Sequence, residues 1–314
     1  IDMGFNYSKD TQPEIIDTIK TNYDYAVLSG GGIKGICFCG AATECDNYDI
    51  FYDHLGNFKL KGICGVSAGS IFSSLLAVGY KPNELMEITS TLNFSDIMTD
   101  KLGYFRDTIN FIERWGMCPG NYVMELMGKL IADKTGNPDY TLEDLYKDKN
   151  ITLVIVATNM SEKKSVYFYP GNPVAKFSNI PIRKAIRMSM GIPFLFEPCV
   201  YEGDLFVDGG LLDSYPLHVF DGEYPGDPKA RLNLCIPNSR VLGIKIMTSS
   251  GKLDYDLVGR ETYNHLHNYA ISFIETMLIE NERRIMTPSF WDRTIVIVTP
   301  DFALTKSDVS EQEK

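Results

Sequence analysis

The chain has 314 residues, near the upper end of what one hydrophobic core organises. Hydrophobic residues make up 44% and charged residues 23%, the balance of a globular protein. The formal net charge of -11 repels nucleic-acid phosphate over most of the surface, so nucleic acid is excluded as a partner; it gives no overall pull toward anionic bilayers but leaves room for a local membrane-contacting patch.

Taken in chain order, Tyr25 to Ser29 reads as a buried strand. It runs into Gly30-Gly31-Gly32-Ile33-Lys34-Gly35 and then into a helix of small residues, Ile36 to Cys45. Leu60 to Cys64 is a second strand, followed by Gly65-Val66-Ser67-Ala68-Gly69 and a helix from Ser70 to Val78 that Gly79 caps. Lys81 to Trp115 is rich in Met, Phe and Leu with weak periodicity, and Gly116 to Gly120 breaks it. Tyr122 to Ala132 is an amphipathic helix, and Thr141 with Asp144 forms a capping box for a short one. Ile151 to Ala157 is a β-branched strand with Ser165 to Phe168 as a possible partner. Pro181 to Met190 is helical, Phe206-Val207 leads into Asp208-Gly209-Gly210, and Val241 to Met247 and Thr294 to Val298 are strands around a long helix, Tyr263 to Ile285. Strands alternating with helices predict an α/β fold, a three-layer α/β/α sandwich on a largely parallel sheet. We expect a single domain over 1–314, with the motifs in 25–216, a helical subdomain or lid within 80–150, and strands and a helix in 217–314.

The 7 cysteines (Cys37, Cys39, Cys45, Cys64, Cys118, Cys199 and Cys235) are odd in number and several lie in apolar runs. They read as reduced thiols of an intracellular, cytoplasmic protein. Cys37-Phe38-Cys39 lacks zinc-site spacing, and His265 and His267 sit on different faces of their helix, so no metal and no cofactor are expected. No run reaches the ~18 to 20 apolar residues of a membrane span, and no signal peptide is visible, although the chain opens on Ile1 and a leader could precede it.

Three widely separated elements carry chemistry. Gly65-x-Ser67-x-Gly69, at a strand-to-helix junction, is the pattern of a nucleophile elbow, with Ser67 at the positive end of a helix. The Gly30–Gly35 run lies between a strand and a helix, so its N–H groups can converge on one small anion. That anion is an oxyanion in one reading and a dinucleotide pyrophosphate in another, with Asp53 roughly 20 residues on as the ribose ligand; a plain turn is the third. A serine nucleophile needs a base. His54, His218, His265 and His267 sit in poor contexts, whereas Asp208 closes an apolar run ahead of two glycines; the competing reading is a turn aspartate.

As a set, Gly-Gly-Gly-Ile-Lys-Gly, Gly-Val-Ser-Ala-Gly and Asp-Gly-Gly, in this order, resemble the motifs of the patatin-like phospholipases. Val154 to Asn159, Arg187 to Pro193, Phe196-Glu197-Pro198 and Asp208 to Pro216 extend the resemblance over Tyr25 to Pro216. The resemblance implies a lipid acyl hydrolase of phospholipase A or lysophospholipase type. It implies a serine–aspartate dyad of Ser67 and Asp208, an elbow flanked by Gly65 and Gly69, an oxyanion hole drawn from Gly30, Gly31, Gly32, Ile33 and Gly35, and a turn at Gly209 and Gly210. Its substrate would be a lipid or membrane-surface ester, met through peripheral contact, with Phe94 to Met117 as a candidate rim. Lys34 and Ser214 stand where the family often has arginine and asparagine. The alternatives are a dinucleotide-binding protein and a catalytically silent, lipid-binding relative.

Overall fold

The computed structural model describes residues 22–92, 97, 114–248 and 266–299. The elements in order are β1 (Tyr25–Leu28), a 3-10 turn (Gly32–Ile36), α1 (Cys37–Asn47), β2 (Gly62–Val66), α2 (Ala68–Val78), α3 (Pro82–Thr91), β3 (Gly116–Cys118), α4 (Asn121–Thr135), α5 (Leu142–Lys149), β4 (Thr152–Asn159) and β5 (Lys164–Phe168). There follow α6 (Ala175–Ser178), α7 (Ile182–Ser189), β6 (Phe194–Phe196), β7 (Cys199–Tyr201), β8 (Asp204–Asp208), α8 (Gly210–Asp213), a 3-10 turn (Leu217–Phe220), α9 (Pro228–Arg231), β9 (Val241–Thr248), α10 (Leu266–Ile285), α11 (Pro288–Trp291) and β10 (Thr294–Thr299).

The main sheet runs β10-β9-β1-β2-β4-β8-β7, with β5 also paired to β4. Its first half, from β10 to β4, is parallel, whereas β5, β8 and β7 join antiparallel. Side chains alternate between two cores, as the pleat requires. Ala26, Leu28, Ile63, Leu153 and Ile155 enter a large core with the helices, while Val27, Cys64, Val66, Val154 and Val156 face a smaller one with Tyr215, Leu217 and Phe290. Strands buried on both faces need the near-continuous apolar runs that the sequence shows there. A second, two-stranded sheet pairs β3 with β6.

Helix α2 lies at the centre and is buried on nearly every face, consistent with its mixture of serine, alanine and aliphatic residues. Gly79 ends it in the left-handed region at φ 112. The Thr141–Asp144 capping box forms as its residues predict, with the Thr141 hydroxyl accepting from the Asp144 amide. Helix α3 lies within the stretch of weak periodicity from Lys81 and begins at Pro82, a residue suited to the first position of a helix.

The arrangement around β4 positions everything else. Strand β2 pairs with residues 152–156 of β4, and β5 with residues 155–159, so these two occupy opposite edges. Strand β8 pairs with residues 157–159, where β5 already holds one edge, and must therefore share the edge of β2. The two strands abut there: Val66 faces Val156, and Asp208 faces Ala157. They run in opposite directions, so each ends pointing at the other. Among the described residues no helix is long and apolar enough to cross a membrane. The segment expected as a rim, Phe94 to Met117, lies outside the described residues except for Ile97 and 114–117, as does His265.

Candidate active site

Between the last residue of β2 and the first of α2, Ser67 turns the corner alone, at φ 52 and ψ -124. A non-glycine residue in that region costs on the order of 1–3 kcal/mol and persists only where neighbours over-determine it. Here the Ser67 N–H donates to Ser189 Oγ at 2.9 Å, and its carbonyl accepts from Ser70 Oγ at 2.6 Å. The flanking glycines serve space, not φ. A Cβ on Gly69 would lie 2.5 Å from the carbonyl oxygens of both Leu28 and Ser29, and one on Gly65 would run into the Gly69 carbonyl.

The abutting strand delivers the acid. Ser67 Oγ–H donates to Asp208 Oδ2 at 2.6 Å, and the Gly210 N–H donates to Oδ1 at 2.7 Å. Both residues are buried, 6% exposed for Ser67 and 1% for Asp208. A Cβ on Gly209 would collide with the Val156 carbonyl, so this turn must be glycine to lie against β4. Ser189 then bridges the two halves: its hydroxyl holds the Ser67 amide, and its carbonyl accepts the Gly209 N–H at 3.1 Å.

The glycine run reaches the same place from β1. Gly32 is left-handed at φ 54, and Gly35 is tight against α2, where a Cβ would sit 2.6 Å from Ala68 Cβ. Gly32, Ile33 and Gly35 line one cleft with Ser67. The Gly30 N–H, however, donates to the Ser214 carbonyl at 2.9 Å. The Gly30 amide is therefore engaged in anchoring the loop, which leaves Gly31, Gly32, Ile33 and Gly35 of the expected set as candidate oxyanion donors. Among the described residues the rest of the cleft is apolar, with Phe72, Met190, Ile192 and Phe196 in its walls.

The remaining candidates fall elsewhere. Asp53 accepts from the Leu55 and Asn57 amides of its own turn at 2.9 and 2.8 Å, so its carboxylate is committed locally and not to a ribose. His54 is exposed on that turn. His218 is buried beside Tyr167, whose hydroxyl donates to Asp213 Oδ2 at 2.6 Å. Burial pushes the His218 imidazole below its ordinary range, against the pull of the Asp213 carboxylate. All seven cysteines are free thiols, and among the described residues no cluster of three or more His, Cys, Asp or Glu could hold a metal. Two participants escaped the reading of the residues: Ser189 and the Ser214 carbonyl. Only the position of Ser189, at the end of a helix just before Gly191, hinted at the first; a backbone oxygen gives no sequence signal at all.

A sequence model of patatin-like phospholipases matches residues 26–221. The chain belongs to the patatin-like phospholipase family. In this patatin-like chain the match encloses the glycine run, Ser67 and Asp208, and stops before α9. Among its relatives is an uncharacterized protein of Acanthamoeba polyphaga mimivirus, 29% identical over 270 residues that make up 86% of this chain and 81% of the relative. A probable lipid hydrolase of Invertebrate iridescent virus 6 is 26% identical over 220 residues, 69% of this chain and 67% of that one. Among solved structures, VipD from Legionella pneumophila shares the fold with a TM-score of 0.54 and 17% identity, over 93% of this chain and 64% of VipD. The two departures from the family pattern have different surroundings: Lys34 is buried in the glycine run, and Ser214 contributes its carbonyl to Gly30 while its hydroxyl is buried with no partner among the described residues.

Proposed function

We propose that this patatin-like protein is a lipid acyl hydrolase in which Ser67 is the nucleophile and Asp208 its general base. The observation that carries the reading is the 2.6 Å hydrogen bond from a strained serine to a buried carboxylate at the edge of an apolar cleft. Asp208 Oδ2 takes the Ser67 proton as Oγ attacks the ester carbonyl. The oxyanion so formed is met by the amides of Gly31, Gly32 and Ile33, each such donor contributing about 3–4 kcal/mol to the transition state. The carbonyl reforms, and the alcohol or lysolipid leaves with the proton from Asp208. Water, deprotonated by the same carboxylate, then releases the fatty acid and restores the serine. Gly210 holds the other carboxylate oxygen, so the base keeps its orientation between the two half-reactions. The iridescent-virus relative described as a probable lipid hydrolase supports the substrate class.

A lipid panel read by mass spectrometry tests this. Ser67→Ala is expected to abolish ester hydrolysis and fluorophosphonate labelling, and Asp208→Asn to lower kcat by about 10²- to 10⁴-fold. Full activity in Ser67→Ala would remove the nucleophile. Loss of activity in His218→Ala with Asp208→Asn intact would replace the dyad by a conventional triad. Lipid binding without turnover of any ester would mark a silent family member.

A further inference from the structure

Both halves of the proposed site hang on one short segment, Asp208–Ser214. At its start Asp208 presents Oδ2 to Ser67 and takes the Gly210 N–H on Oδ1 at 2.7 Å. At its end the Ser214 carbonyl holds the Gly30 N–H at 2.9 Å and so anchors the glycine run. Between them, on α8, Asp213 is 4% exposed, and its Oδ2 accepts the Tyr167 hydroxyl from β5 at 2.6 Å. Asn281 and Arg231 also hold α8, at the Leu211 and Leu212 carbonyls, but from less buried positions.

The Tyr167 ring is itself fixed. Tyr167 of β5 pairs with Val156 of β4, and Gly226 lies so close to the ring that a Cβ there would sit 2.3 Å from Cδ2. Burial, with the Asp213 carboxylate beside it, pushes the phenol well above its ordinary pKa, so the hydroxyl stays a donor. Neither side chain takes part in the proton transfers. We infer that the Tyr167–Asp213 hydrogen bond positions the reacting groups by locking α8, and through it both the Asp208 carboxylate and the Gly30 anchor of the oxyanion loop. The inference rests on the hydrolase reading above and adds two positioning residues to it. The bond lies between the two ends of a segment that hold the base and the loop, so a slip of α8 moves both at once. Misplacing such groups by about 1 Å costs about a hundredfold in rate.

The test measures kcat and KM on a soluble ester, and the rate of fluorophosphonate labelling of Ser67, in the wild-type chain, Tyr167→Phe, Asp213→Ala and the double variant, with thermal melting to show that each is folded. Tyr167→Phe removes one oxygen and keeps the ring against Gly226. Each single variant is expected to lower kcat and the labelling rate by about ten- to a hundredfold, with KM near the wild-type value. The double variant is expected to lose no more than the worse single one, because the two side chains act through one bond. Where one of the two does not fold, the other decides through its kcat and labelling rate. Values within about twofold of wild type in a folded single variant, or losses that add in the double variant, would overturn the inference and leave the hydrolase reading intact. No hydrolysis and no labelling in the wild-type chain would instead remove the hydrolase reading and the inference with it.

Discussion

Ser189 touches one member of the proposed dyad and the neighbour of the other: its hydroxyl accepts from the Ser67 amide, and its carbonyl accepts from Gly209, the residue after Asp208. It is 0% exposed, so water cannot replace what its side chain supplies. Ser189→Ala would leave the Ser67 amide buried without an acceptor, at a cost of about 1–3 kcal/mol. That amide belongs to the residue whose backbone is already in the left-handed region, so the loss falls on the corner that aims Oγ. The expected result is a kcat lowered by about ten- to a hundredfold with KM near the wild-type value, read by steady-state kinetics on a soluble ester. A KM that rises with kcat unchanged would make Ser189 a substrate contact and not a positioning residue. The same corner shows why the residue scale was only partly legible. Gly65-x-Ser67-x-Gly69 announces a tight junction, because close approach at two glycines is a local property. Asp208, by contrast, reads equally well as a turn aspartate until its partner is known, and Ser189 carries no motif of its own.

At the scale of elements, the elbow is welded to its neighbours by absent side chains. Gly69 lets α2 lie directly on the end of β1, against the Leu28 and Ser29 carbonyls. Gly69→Ala must push those strands and helices apart, and overpacking of this kind costs about 1–3 kcal/mol. We expect a lower urea midpoint and a loss of activity larger than the stability loss explains, since the glycine run leaves the same end of β1. A variant that keeps wild-type activity at reduced stability would separate the two. Elements whose signals are local were readable from sequence: the Thr141–Asp144 box, the Gly79 cap and the β-branched run of β4 all form where their residues say. Helix α3 was hidden because its apolar face is narrow and its start is a proline. The antiparallel docking of β8 was hidden for a different reason. Register between strands far apart in sequence is decided by which edge of β4 remains open, and no single segment encodes that.

For the molecule as a whole, the smaller core contains a titratable cluster behind the glycine run. His218 is 5% exposed and held with Tyr167 and Asp213. Burial lowers the affinity of the imidazole for a proton; Arg231 and Arg293 add to that effect, while Asp213 and Asp221 oppose it. The unfolded chain binds that proton with an ordinary histidine pKa near 6.5. As pH falls through this value the unfolded state gains a proton that the folded state refuses, so stability drops toward acid. His218→Gln should flatten that fall. Urea midpoints at pH 7.5 and 5.5 provide the check: the wild-type midpoint should decline more than that of the variant, and equal declines would assign the acid sensitivity to other groups. The cluster lies close to function in the chain, because Asp213 precedes the Ser214 carbonyl that anchors Gly30.

The head-to-head meeting of β2 and β8 also has a consequence in time. The hydroxyl and the carboxylate it joins are 141 residues apart. A ribosome that has finished β4 has already made the nucleophile, its bent corner and its amide cradle, yet no base. On the roles proposed here, chemical competence arrives only when the chain returns to the open edge of that strand, and every shorter nascent product is inert toward the lipids around it.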